Sequence, residues 1–190
     1  WPYCESKCPY CDFNSHVAAA IDAERWVTAY RREIDRVAQS CPDEILSTIF
    51  IGGGTPSLMK PQIVEAVIAA ATSAWRSTND LEITIEANPG SVDAARFRSY
   101  ASAGVNRVSL GIQSLDDTHL RMLGRKHGRE DALAAVQIAQ NTFSRVNIDL
   151  IYARQNQTID QWERELSEAI GLGTGHMSLY QLTIEDGTVF

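Results

Sequence analysis

The chain has 190 residues, 44% of them hydrophobic, with 17 basic and 24 acidic side chains and a net charge of −7. A chain of this size and apolar content builds one sizeable core, as a single domain or most of a larger one. The acidic balance excludes a sequence-independent grip on nucleic-acid phosphates, no apolar run reaches membrane-spanning length, and no cleavable signal pattern is visible.

Three of the four cysteines fall in the first eleven residues, as Cys4-x3-Cys8-x2-Cys11. Four thiolates close a tetrahedral zinc site or ligate a cubane iron–sulfur cluster fully. Three thiolates around a four-iron cluster leave one iron without a protein ligand, and an open position marks a metal site that does chemistry. The spacing leaves two other readings open: zinc with His16 as fourth ligand, or a disulfide with a spare thiol. Cys41, outside this group, reads as an inert thiol in a reducing cytosol.

Beyond the cysteines, Asp22 is placed to cap a helix whose Val27, Tyr30, Ile34 and Val37 recur at three- and four-residue steps. Residues 48–51 form a short apolar strand stopped by Gly52, Gly53 and Gly54. Pro61 opens the next helix, where its missing N–H costs nothing, with Ile63, Val64, Val67, Ile68 and Trp75 as its buried stripe. The alternation continues: strand 81–87, helix 92–103 capped by Ser91 and closed by Gly104, strand 107–113, helical segments 116–123 and 129–142, strand 145–152, helix 160–170, strand 176–183. Repeating strand–helix units predict an α/β fold with a parallel sheet, as a barrel or open. The cysteine loop precedes the first helix, so a first strand is expected just upstream of it, largely outside this sequence. Trp26, Trp75 and Trp162 sit at helical spacing and read as core.

One face of the strands is polar. Val108, Leu110 and Ile112 alternate with Ser109, Gly111 and Gln113; Ile83 and Ile85 with Thr84 and Glu86; Val146, Ile148 and Leu150 with Asn147 and Asp149. A closed barrel fills its interior with aliphatic side chains. A polar lining, whose carboxylates are expensive to bury unpaired, predicts an incomplete barrel wrapped around a hydrogen-bonding ligand. Gly52 to Thr55, Glu86, Gln113 and Asp149 fall at the C-terminal strand ends, the edge where such folds place ligands. For Glu86 and Asp149 the alternative is a structural carboxylate paired with Arg107 or Arg125. His16, His119, His127 and His176 read as satisfied or solvent-facing imidazoles.

Together these residues resemble the radical S-adenosylmethionine (SAM) superfamily, whose mark is a Cys-x3-Cys-x2-Cys loop after the first barrel strand. The resemblance spans nearly the whole chain and is carried by Cys8-Pro9-Tyr10-Cys11-Asp12-Phe13, Gly52-Gly53-Gly54-Thr55-Pro56, Glu86-Ala87-Asn88-Pro89-Gly90, Ser109-Leu110-Gly111-Ile112-Gln113-Ser114 and Ser178-Leu179-Tyr180-Gln181-Leu182-Thr183. Within the superfamily it points to relatives of oxygen-independent coproporphyrinogen III oxidase, and among those to the haem-chaperone branch. The resemblance implies an incomplete parallel (β/α)6-type barrel formed by residues 1–190 as one core, a haem- or substrate-binding region lying beyond it. It implies that Cys4, Cys8 and Cys11 ligate three irons of a [4Fe-4S] cluster. SAM then meets Gly53, Gly54, Thr55 and Glu86 at its methionyl end, Arg125 at its carboxylate, Gln113 and Asp149 at its ribose, and Tyr10 and Thr183 at its adenine. Haem or another tetrapyrrole, an electron donor and haemoprotein acceptors are the implied partners, in a cytoplasmic setting with peripheral membrane contact during delivery.

Two departures qualify this. Oxidases of the group carry a further cysteine two positions after the third, where this chain has Phe13; that favours the chaperone over radical decarboxylation of propionates to vinyls. Ala153-Arg154-Gln155-Asn156 stands where the group commonly reads Gly-Leu-Pro-Gly. A zinc-stabilised interaction module is the reading of another class.

Overall fold

Alternating apolar and polar side chains give the strands one apolar and one polar face. The computed structural model describes residues 1–18 and 20–190. Two short strands, β1 (Tyr3–Cys4) and β2 (His16–Val17), pair in parallel and close the base of the cysteine loop. The main sheet comprises β3 (Ile45–Ile51), β4 (Arg76–Ala87), β5 (Arg107–Gln113), β6 (Arg145–Tyr152) and β7 (Gly175–Gln181), all parallel and in chain order. When each strand pairs with the next, right-handed crossovers carry all connecting helices to one face. The sheet therefore curls into part of a barrel and does not wind in two directions. Helices α1 (Ala23–Ser40), α2 (Pro61–Ala74), α3 (Ala94–Ser102), α4 (Asp117–Met122), α5 (Arg129–Thr142) and α6 (Ile159–Gly171) fill the connections.

The apolar strand faces build the core. Ile51, Ile85, Val108 and Val146 form one rung across the sheet, and Ala87, Leu110 and Ile148 the next. All seven are buried against Ile63, Val64, Phe97, Val136 and Ala139 of the helices. Helix α1 buries no residue fully. It is held by an aromatic cluster in which Trp26 lies 5.5 Å from Trp1 and 5.7 Å from Tyr3, ring to ring.

Helix starts follow local chemistry. Asp22 caps α1 by accepting from the Arg25 amide, and Pro61 opens α2. The cap of α3 is Asp93, which accepts from the Arg96 amide at 2.8 Å, rather than Ser91. Ser91 lies in a 3₁₀ turn and bonds the Ser57 hydroxyl at 2.6 Å. Strands β3 and β4 begin earlier than periodicity indicates, because Ile45–Leu46 pairs with Arg76–Ser77 ahead of an irregularity, outside the apolar rungs. Where nothing is buried, alternation gives no signal. The tryptophans also differ from expectation: each is half-buried at the rim. Trp75 donates its indole N–H to the Cys41 carbonyl at 2.9 Å, and Trp162 packs on Tyr152 with centroids 5.5 Å apart. A large ring with one polar atom sits where that atom finds a partner.

One ion pair lies inside the fold. Arg154, 5% exposed, makes a two-pronged contact to Glu165, 8% exposed. Glu165 also accepts from the Ser114 hydroxyl at 2.6 Å and the Leu115 amide at 2.7 Å. Removing one member strands the other's charge, so Arg154→Ala is expected to lower unfolding free energy by about 3–5 kcal/mol in urea titration.

Candidate functional site

The geometry starts from backbone contacts that only glycine allows. The Gly54 amide donates to the Trp1 carbonyl at 2.6 Å, and the Thr55 amide to the Tyr3 carbonyl at 2.8 Å. These bonds lay the segment Trp1–Tyr3, just ahead of the cysteines, against the turn after β3. Gly53 has φ +115°, and a Cβ there would stand 2.6 Å from the Trp1 carbonyl oxygen. A Cβ on Gly54 would stand 2.7 Å from the Tyr3 carbonyl oxygen and 3.0 Å from Cys4 Sγ.

A cavity of about 340 Å³ opens where the cysteine loop meets the C-terminal ends of the strands. Cys4, Cys8, Cys11, Tyr10, Gly53, Gly54, Thr55, Glu86, Gln113, Arg125, Asp149 and Thr183 all line it, so all twelve sequence-derived candidates meet in one place. The three cysteines carry free thiols, and burial pushes the Cys11 thiol up. Among the described residues, no three His, Cys, Asp or Glu side chains converge on a single ion site, and His16 lies exposed at the loop base.

The polar ligands of the cavity are held but not neutralised. Asp149 accepts from the Ser109 hydroxyl at 3.1 Å and from the Asn147 amide at 2.7 Å; burial pushes its carboxyl up. Glu86 accepts from the Gly53 amide at 3.1 Å, and burial, with the Asp149 charge adding to it, raises its carboxyl as well. Among the described residues neither makes an ion pair: Arg107 donates to Thr84 at 3.2 Å and Arg125 to the Gly111 carbonyl at 2.9 Å. The structural-pair alternative is therefore not what these carboxylates do. The other Arg125 amine lies 3.5 Å from Cys8 Sγ, and burial pushes the neighbouring Tyr10 phenol up.

Among the described residues, three buried polar atoms on cavity residues, Ser15 Oγ, Gln113 Oε1 and Arg125 Nε, have no hydrogen-bond partner. Buried polar groups are ordinarily paired, so these atoms fit a polar ligand seated among them. Three free thiols, a side-chain-free cradle beside Cys4 and three orphaned groups together suit a thiolate-held cluster with a hydrogen-bonding nucleoside.

Sequence reasoning passed over some contributors. Ser178, with its hydroxyl 3.0 Å from the Asn147 amide, completes the cage around Asp149, and its position opposite Asp149 in β7 follows only from the strand register. Gly124, at φ +66°, lets Pro9 of the cysteine loop approach: a Cβ there would meet Pro9 Cδ at 2.6 Å. Its place beside Arg125 was the available clue.

The site defines the class. A family model described as the Radical SAM superfamily matches residues 1–169, and the chain belongs to that superfamily. Membership implies a [4Fe-4S] cluster and SAM. Among its relatives, the heme chaperone HemW of Escherichia coli (strain K12) is 40% identical over 191 residues, covering 100% of this chain and 50% of that protein. The mitochondrial Radical S-adenosyl methionine domain-containing protein 1 of Bos taurus is 40% identical over 189 residues, covering 99% of this chain and 43% of that protein. The fold matches the radical SAM enzyme coproporphyrinogen III oxidase (HemN) from Escherichia coli with a TM-score of 0.85 at 24% identity, over 99% of this chain and 46% of that one. At that identity the likeness is one of fold. The chain spans about half the length of the curated relatives it matches, and no helix among the described residues is long and apolar enough to cross a membrane.

Two measurements check the site's mechanics. Gly54→Ala forces backbone to move beside Cys4, and is expected to cost about 1–3 kcal/mol in chemical denaturation. His127, 3% exposed, bonds the Ile112 carbonyl through Nε2 at 3.1 Å, and burial, with Arg125 adding to it, lowers its pKa to about 4. The unfolded imidazole titrates near 6.5, so the folded state resists protonation: its contribution is complete above that pH and is lost as pH falls toward about 4. Between pH 7 and pH 5 this amounts to about 2 kcal/mol, a loss that His127→Gln is expected to abolish in paired denaturation curves.

Proposed function

We propose that this chain is the cluster- and SAM-binding core of a haem chaperone, which delivers haem to haemoproteins. The observation that carries the reading is the gathering of Cys4, Cys8 and Cys11 with Glu86, Gln113, Arg125 and Asp149 around one cavity. The naming of relatives at 40% identity as heme chaperones supports the haem part. Phe13, where oxidases of the group carry a further cysteine, weighs against decarboxylation as the activity.

In this reading Cys4, Cys8 and Cys11 hold three irons, and the fourth is left to the amine and carboxylate of SAM. When bound, cluster and SAM together supply one-electron cleavage of a carbon–sulfur bond, which the chaperone need not turn over. The chain's own residues bind and orient. Gly53, Gly54 and Thr55 offer unobstructed backbone to the methionyl end, and Glu86 fixes that turn through the Gly53 amide. Arg125 turns a guanidinium edge toward a carboxylate, a planar match that lysine lacks. Gln113 and Asp149 receive the ribose hydroxyls, Asp149 already aimed by Ser109 and Asn147. Tyr10 and Thr183 border the adenine. The Tyr10 ring lies 6.4 Å from Phe190, and the Val189 amide donates to the Pro9 carbonyl at 2.9 Å beside this end. A cavity lined by two raised carboxylates favours a ligand that brings positive charge, as a sulfonium does.

Anaerobic reconstitution with iron and sulfide, followed by haem titration, tests the proposal. Iron and acid-labile sulfide are expected to bind and to drop sharply in Cys4→Ser, Cys8→Ser and Cys11→Ser alike. In a protein that carries the haem-binding region the resemblance implies, haem is expected to bind and pass to an apo-haemoprotein. Vinyl product from coproporphyrinogen III under reducing conditions, with no haem bound, would return the protein to the oxidases; zinc without iron or sulfide would end both readings.

A further inference from the structure

Gln113 reaches the cavity from a strained corner. Its φ is +64°, the left-handed region, and it follows a bulge in which the residues from Leu110 to Gln113 of β5 face only Ile148 to Leu150 of β6. Its carboxamide folds back over Gly111, where a Cβ would stand 2.8 Å from Gln113 Nε2. The backbone closes the turn, with the Ser114 amide donating to the Ile112 carbonyl at 2.8 Å. Three side chains buttress it, each taking one carbonyl in succession: Arg125 that of Gly111 at 2.9 Å, His127 that of Ile112 at 3.1 Å, and Arg154 that of Gln113 itself at 3.4 Å.

Arg154 differs from Arg125 in one decisive respect: it is buried behind the corner and does not line the cavity. It comes from the loop after β6, where Ala153 (φ +57°) and Asn156 (φ +60°) adopt the left-handed conformation that glycine adopts most readily. Those are the two positions at which the resembling family commonly has glycine. Arg154, between them, enters the fold and grips Glu165, and Glu165 in turn holds the Ser114 hydroxyl and the Leu115 amide. The pair thus restrains the peptide groups on the C-terminal side of Gln113 from two directions.

We propose that Arg154, braced by Glu165, is a positioning residue that fixes where the Gln113 carboxamide lies in the cavity, and so tunes affinity for the nucleoside without touching it. This rests on the reading of Gln113 as a SAM contact.

The test is a cycle of SAM binding by equilibrium dialysis on the anaerobically reconstituted protein, with melting temperatures alongside. The paired substitution Arg154→Met/Glu165→Gln removes both buried charges together, so neither is left alone. It is expected to melt close to the unsubstituted protein and to bind SAM about tenfold more weakly, and the same pair placed on Gln113→Ala is expected to add no further loss. Arg154→Lys keeps a charge beside Glu165 but loses the fork; it covers the case in which the paired variant does not fold, and it too is expected to weaken SAM. Unchanged SAM affinity in a folded Arg154 variant, with Gln113→Ala weakened, would overturn this inference alone, as would an equal loss with and without Gln113. Unchanged affinity in Gln113→Ala would overturn the reading of the site, and this inference with it.

Discussion

The structure depends on one close backbone approach, that of Trp1–Tyr3 to Gly52–Thr55. Three short hydrogen bonds join the segments, and the separations leave no room for side chains on Gly53 or Gly54. The consequence is positional. The cysteine loop has almost no regular structure of its own beyond the two-residue pair at its base. Anchored at Tyr3 on one side and resting Pro9 on Gly124 on the other, it is nevertheless brought over the strand ends. Without that contact three thiols would sit on an unattached loop, and the polar strand ends would face water.

The second constraint is electrostatic. Glu86, Asp149 and Arg125 are drawn partly out of water and are given hydrogen bonds but, among the described residues, no ion pair; the Trp1 amino group and Arg107 act on Glu86 and Asp149 only from a distance. That arrangement costs stability, because desolvating a charge without a partner is unfavourable. Proteins keep such arrangements where a ligand completes them, and the orphaned Gln113 and Arg125 atoms lie in the same cavity. The buried Arg154–Glu165 pair is the contrasting case: both charges are matched, and the pair holds backbone rather than awaiting a partner.

Much of this was legible in the residues. The period of two in β4, β5 and β6 separated core from cavity correctly, and the glycine run and the cysteine spacing marked the two segments that meet. Elements lying outside the buried rungs were less visible. The first residues of β3 and β4 pair beyond the core, so no pattern betrayed them. Asp93 and Ser91 both suit a cap, and the choice between them turned on Ser91 being claimed by Ser57. Trp75 belonged at the rim because its indole N–H finds the Cys41 carbonyl there. Ser178 and Arg154 stayed hidden for a different reason: their roles depend on register and on a contact between distant loops, and one sequence records neither.

Because strand residues point alternately outward and inward, each strand carries two separate tasks on neighbouring positions. Val108, Leu110 and Ile112 fill the core; Ser109, Gly111 and Gln113 line the cavity. Lineages can therefore exchange one aliphatic residue for another against the helices while their chemistry stays untouched, and can acquire a new specificity by altering the inward set on an intact scaffold. One architecture shared by proteins of low sequence identity is what such a division of labour leaves behind.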